Sequence, residues 1–222
     1  MRVYEAMPLF LTLSDAGLAA DLLRPAAAQG LVVFVHGSGS SRRSPRNQQV
    51  ARYFSERGLA TLLFDLLTEE EQRLDNLTRE LRFDIPLLSR RIVGVVDWLG
   101  HDAELSGLHL GLFGASTGAA AALIAAAERP KAVWAVVSRG GRTDLAGEAL
   151  ERVAAPTLQI VGGEDREVLR LNREAGRHLH GVQQIQVVPG ASHLFEEPGT
   201  LEAVARLAGD WFARFLNAPE ES

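Results

Sequence analysis

Six short, apolar, β-prone runs recur along the chain at 31–36, 59–65, 108–114, 132–138, 156–162 and 183–189, and most are separated by stretches with a helical apolar period. That alternation leaves few folds open. Parallel neighbours in a sheet need a crossover, usually a helix, and strands buried on both faces read as unbroken runs such as Leu31-Val32-Val33-Phe34-Val35-His36. The pattern predicts an α/β protein, with a mostly parallel sheet covered by helices on both faces. Helices are expected at 45–57, 84–99, 117–128, 166–178 and 199–216. Ser44, Pro45 and Gly58 bracket the first. Asp84 opens the second, whose Leu88, Ile92, Val95, Val96 and Leu99 share one face. Two further β-prone runs, 3–12 and 18–25, fit an antiparallel hairpin that enters the sheet before the alternation begins.

At 222 residues, 46% hydrophobic and 23% charged, the chain is long enough for a sizeable core, and no long linker or internal repeat divides it. A single domain, 1–222, is the simplest organisation. Its 23 basic and 28 acidic residues give a formal charge of −5, so no nucleic-acid partner is expected. The absence of cysteine removes disulfides, thiolate metal sites and a thiol nucleophile. The longest apolar stretch, 119–127, is about half of the roughly 20 residues that cross a bilayer, so no membrane partner is expected either. The N-terminal residues lack a signal-peptide pattern, which points to the cytoplasm. No feature of the sequence speaks to the oligomeric state.

In an open α/β sheet, ligands bind outside the carboxyl ends of the strands, which selects the loops 36–44, 66–72, 114–118, 139–144, 163–168 and 190–196. One of them reads Gly114-Ala115-Ser116-Thr117-Gly118, between a β-prone run and an alanine-rich helix. This G-x-S-x-G in a strand–turn–helix context would project the Ser116 hydroxyl from a tight turn, with small neighbours on either side. A serine needs a base to act as a nucleophile, and the base needs an orienting acid. Gly162-Gly163-Glu164-Asp165 and Gly190-Ala191-Ser192-His193 each place a candidate just past a strand, giving the order Ser116, Asp165, His193. An oxyanion would be received by the Thr117 N–H and by the Ser38 N–H of the glycine-rich turn His36-Gly37-Ser38-Gly39.

With these motifs the chain resembles the α/β-hydrolase family, in particular its small, lidless members of the dienelactone hydrolase type. The resemblance implies an eight-stranded sheet and cleavage of small acyl substrates without a cofactor. It also implies an acid at the fourth position of its turn, Asp165 rather than Glu164, with Asp144 after the preceding strand as the alternative. Only 17 residues, 139–155, separate two expected strands where many relatives insert a cap, so no cap domain is predicted. One departure is that dienelactone hydrolases proper use a cysteine where this chain has Ser116, which favours a serine esterase. Thioesters, amides and lactones are open to the same machinery.

The other histidines fit different roles. His36 is expected to order its own loop, while His178 and His180 read as a surface pair rather than a metal site, and no metal is expected. Arg42 and Arg139 follow strands, and either could receive an anionic group on the substrate, although a solvated, mutually paired rim is the plainer reading. Two rival functions remain. Gly114–Gly118 also looks like the nucleotide turn of a short-chain NADP reductase, but the only tyrosines, Tyr4 and Tyr53, lie upstream of it and Lys131 is the only lysine. A non-catalytic binder of small molecules is the third possibility.

Overall fold

The computed structural model describes residues 6–217. A single eight-stranded sheet runs in the order β1-β2-β4-β3-β5-β6-β7-β8. Its strands are β1 (Met7–Thr12), β2 (Gly17–Leu23), β3 (Gly30–Val35), β4 (Leu59–Phe64), β5 (His109–Ala115), β6 (Val133–Arg139), β7 (Thr157–Gly162) and β8 (Gln183–Val188). β1 and β2 form the expected antiparallel hairpin, and β2 continues antiparallel onto β4; every later pairing is parallel. Residues 3–5 of the predicted first strand lie outside the described residues.

Among the described residues six helices accompany the sheet: α1 (Pro45–Glu56), α2 (Glu69–Thr78), α3 (Ile85–His101), α4 (Thr117–Glu128), α5 (Arg166–Gly176) and α6 (Thr200–Leu216); all but α2 pack on its strands. Alternate residues along β3 show how two cores arise. Leu31, Val33 and Val35 face α3 and α4 with Ile92, Leu112 and Leu123, while Val32 and Phe34 face α1 and α6 with Phe54, Phe113 and Phe212. The four phenylalanines pack with ring centroids 5.0–5.8 Å apart, a geometry that stabilises beyond their buried area. Truncating one such ring to alanine costs about 3–5 kcal/mol.

The helix ends follow local chemistry. Ser44 accepts from Asn47 N–H and Pro45 occupies the first turn of α1; Asp84 accepts from Leu87 N–H and opens α3. α2 corrects the sequence reading, which took 66–72 as a loop. Thr68 and Glu71 form a reciprocal capping box, so a helix begins at Glu69 and its three leading glutamates sit where the helix dipole favours them. The segment after β6 holds only a 3-10 run, Thr143–Arg152, broken at Gly147, and no cap domain is inserted there. No helix among the described residues is long and apolar enough to cross a membrane.

Candidate active site

Ser116 sits between β5 and α4 with φ 50° and ψ −122°, a left-handed conformation costing a non-glycine residue about 1–3 kcal/mol. The glycines of the motif explain how the turn closes. A Cβ on Gly118 would lie 2.3 Å from the Val35 carbonyl oxygen, and one on Gly114 would lie 2.5 Å from the Ala119 Cα. Gly37 abuts Ser116, since a Cβ there would come 3.1 Å from the Ser116 Cβ.

The strain is held by the loop after β6. Ser116 N–H donates to the Arg139 carbonyl at 3.2 Å, and Arg142 N–H donates to the Ser116 carbonyl at 2.9 Å. That loop is gripped in turn from below: Asn172 of α5, fully buried, donates from Nδ2 to the Gly141 carbonyl at 2.7 Å and to the Val168 carbonyl at 2.9 Å. Buried Thr143 donates to Gln159 Oε1 at 2.9 Å beside it. A side chain on Gly141 would strike Ser138 Oγ at 1.9 Å, so the loop can pass only as glycine. Sequence reasoning missed Asn172 and Gln159, and their only signal was a polar residue at an otherwise inward position.

The structure brings the other two expected residues together. His193 Nδ1 lies 2.6 Å from Asp165 Oδ2, leaving Nε2 available. Asp165 is the residue that precedes α5, yet its carboxylate makes no helix-capping bond because it faces the imidazole. Asp144 is instead bound by Arg142 at 2.8 and 2.9 Å. Gly140, with φ 53°, lets the loop that holds Ser116 run beneath His193: a Cβ there would lie 3.5 Å from His193 Cε1. No hydrogen bond joins Ser116 to His193 among the described residues; such bonds commonly close only around substrate. Glu197 accepts from Ser192 N–H at 3.0 Å and fastens the histidine loop; the Ser192 side chain first, and then this N–H, hold its carboxyl below the usual range.

On the other side of Ser116, His36 is buried and bridges its loop to the next, with Nε2 accepting from Leu66 N–H at 3.1 Å and Nδ1 at 2.9 Å from the Gly37 carbonyl. Burial lowers its pKa, so the imidazole is neutral and Nδ1 carries the proton. The Ser38 N–H donates to Thr117 Oγ1 at 3.1 Å, and the Ser38 hydroxyl lies 2.8 Å from the same oxygen and 3.0 Å from the Arg82 carbonyl. Thr117 opens α4, where first-turn N–H groups have no partner within the helix.

The two arginines part company. Arg42 is paired with Asp65 and lies 3.2 Å from Asp21, so its charge is satisfied inside the protein; the expectation that it receives substrate is corrected by these two carboxylates. Arg139 has no such partner among the described residues. Its Nη1 is buried and unbonded, and burial followed by the nearby charge of Arg46 lowers its pKa to about 10. A cleft of about 870 Å³ opens beside the site between the 38–46 loop and α2, reaching from Ser38 to Leu194. Among the described residues no three His, Cys, Asp or Glu side chains cluster as metal ligands.

Comparisons with known proteins give the family of this fold. No family model matches. The crystal structure of a dienelactone hydrolase from Anabaena variabilis superposes with a TM-score of 0.94 at 53% identity, covering 96% of this chain and 98% of that one. Est1E from Butyrivibrio proteoclasticus shares the fold at a TM-score of 0.77 and 14% identity, covering 93% and 98%. The chain therefore belongs to the dienelactone hydrolase-like α/β-hydrolase family. Two curated proteins from strains of Mycobacterium tuberculosis, which carry the provisional name phosphoribosyl transferase, are 55% identical over 205 residues. That match covers 92% of this chain and 45% of theirs, so the chain spans about half the length of the curated relatives it matches.

Proposed function

We propose that the chain is a serine hydrolase that cleaves small carboxylic esters through an acyl-enzyme. The observation that carries this reading is the 2.6 Å pairing of His193 with Asp165 beside a serine held at positive φ. Ser116 Oγ attacks the ester carbonyl as its proton passes to His193 Nε2, and the Asp165 carboxylate stabilises the imidazolium that forms. The tetrahedral oxyanion is received by Thr117 N–H and, once the Thr117 hydroxyl gives way, by Ser38 N–H. Collapse breaks the bond to the leaving oxygen, which takes the proton from His193. Water then attacks the acyl group with His193 as base, and the carboxylic acid departs as Ser116 regains its proton. Arg139, with its unbonded N–H, is assigned to an anionic group on the substrate. Thioesters, amides and lactones would follow the same steps.

The reductase reading finds no support at this edge of the sheet. Tyr53 lies on α1 and bonds Arg57 at 2.9 Å, Lys131 lies at the opposite ends of the strands, and Tyr4 lies outside the described residues. The phosphoribosyl transferase name is not carried over, because more than half of each protein bearing it lies outside the match. Reaction with a fluorophosphonate probe tests the proposal. Labelling at Ser116 that is lost in His193→Ala supports the hydrolase; an unlabelled protein that binds NADPH tightly supports the reductase, and an unlabelled protein without NADPH binding supports a non-catalytic binder.

A further inference from the structure

The cleft beside Ser116 is large enough for a group the size of a sugar, and its lining is unlike the apolar walls that usually hold drug-sized ligands. Four serines (38, 40, 41 and 44), Thr68, Gln72 and Asn76 line it, against Leu67, Leu194 and Pro45 as its only large apolar side chains. Its charges are largely neutralised within the protein. Arg46 pairs with Glu196 at 3.0 Å, Arg73 with Glu69 at 3.6 Å, and Asp65 with Arg42. Hydrogen-bonding capacity remains. Gln72 donates from Nε2 to Asn76 Oδ1 at 3.0 Å, which leaves Gln72 Oε1 as an acceptor and Asn76 Nδ2 as a donor without a protein partner among the described residues. Ser41 and Ser44 accept from backbone N–H groups, which leaves their hydroxyl hydrogens free to donate.

A wall that offers neutral donors and acceptors, with most of its charges paired, suits a ligand that is itself both donor and acceptor at several points. An alkyl chain there would strand these groups, and a dense anion would meet only one arginine, Arg43, without an ion-pair partner among the described residues. We propose that this cleft is the subsite for a polyhydroxylated group, such as a sugar or sugar acid, on one side of the ester. The inference rests on the hydrolase reading above and adds the class of substrate to it. The cleft begins at Ser38, in the oxyanion turn, and ends at Leu194, next to the base, so a group seated there is in reach of the carbonyl attacked by Ser116.

Two matched ester pairs test it: glucose monoacetate against ethyl acetate, and methyl gluconate against methyl hexanoate. The first pair places the hydroxyls on the leaving group and the second on the acyl group. The hydroxylated member is expected to have the higher kcat/KM, by about tenfold or more, in at least one pair. Gln72→Leu with Asn76→Leu should abolish that preference, read as the ratio of kcat/KM for the hydroxylated member to that for its alkyl partner. Equal or reversed preference in both pairs, or a preference that survives the double substitution, overturns the subsite. Calorimetric titration of methyl gluconate and glucose monoacetate into Ser116→Ala separates this from failure of the hydrolase reading. If wild type cleaves no ester, saturable binding lost in the Gln72/Asn76 double variant still upholds the cleft, and no binding of either ligand overturns it.

Discussion

The two sides of Ser116 handle polar groups in opposite ways. On the β6–α5 side, Asn172, Gln159 and Thr143 are wholly buried; Thr143 bonds Gln159, and Asn172 bonds the Gly141 carbonyl of the loop that clamps the serine and the Val168 carbonyl of its own helix. On the β3–α2 side, serines and amides stand open to a cleft, and the charges pair across its rim. The difference follows from what each must do. A residue at positive φ persists only when its surroundings over-determine it, and buried hydrogen bonds at low dielectric do that best. A surface that meets a solvated ligand must instead exchange its bonds with water cheaply.

If this division is right, substitutions on the two sides should separate cleanly. The largest effect belongs to the nucleophile: Ser116→Ala should lower kcat by roughly 10⁴-fold or more with the fold intact, read by ester hydrolysis beside circular dichroism. Next is the clamp. Asn172→Leu should lower kcat about 10- to 100-fold with KM within about twofold, and cost about 2–3 kcal/mol in urea unfolding, because the Gly141 carbonyl is left buried and unbonded. A change in KM alone would place Asn172 on the binding side and break the comparison. Arg139→Met should weaken hydrolysis of carboxylate-bearing esters about tenfold while leaving neutral esters unchanged. The same variant should raise stability by about 1–2 kcal/mol, since it removes a desolvated charge that has no partner.

The smallest effect concerns pH on the cleft side. His36 has a folded pKa below its unfolded 6.5, so the unfolded chain binds a proton more readily. The stability due to its neutral form is complete above about pH 6.5 and falls as pH drops from there toward the folded pKa. Urea unfolding at pH 7.5 and 5.5 should show this loss in wild type and a smaller one in His36→Asn.

The β6–α5 side was far more legible in the sequence than the cleft side. Ser116, Asp165 and His193 each follow a strand end at a glycine-rich turn, and steric need ties those glycines to fixed positions, so the letters carry the geometry. The clamp itself was not legible, because Asn172 and Gly141 are 31 residues apart and only the packing of α5 joins them. On the cleft side the reading missed α2, although Thr68 and Glu71 have the spacing of a capping box. The partners of Arg42 were hidden for a different reason. Asp21 and Asp65 come from β2 and the end of β4, which meet only in the assembled sheet.

α5 carries Asp165 at its leading end and Asn172 seven positions later, a spacing about 20° short of two complete revolutions. The helix thus acts as a spacer rod with both fittings on one side. Inserting a single residue between them would swing the amide by about 100° and advance it about 1.5 Å, so that the carboxylate on His193 and the clamp could no longer be engaged together. Lengthening the same helix beyond its last turn should leave both in place, which marks the chain after Gly176 as the tolerant place to graft extra sequence.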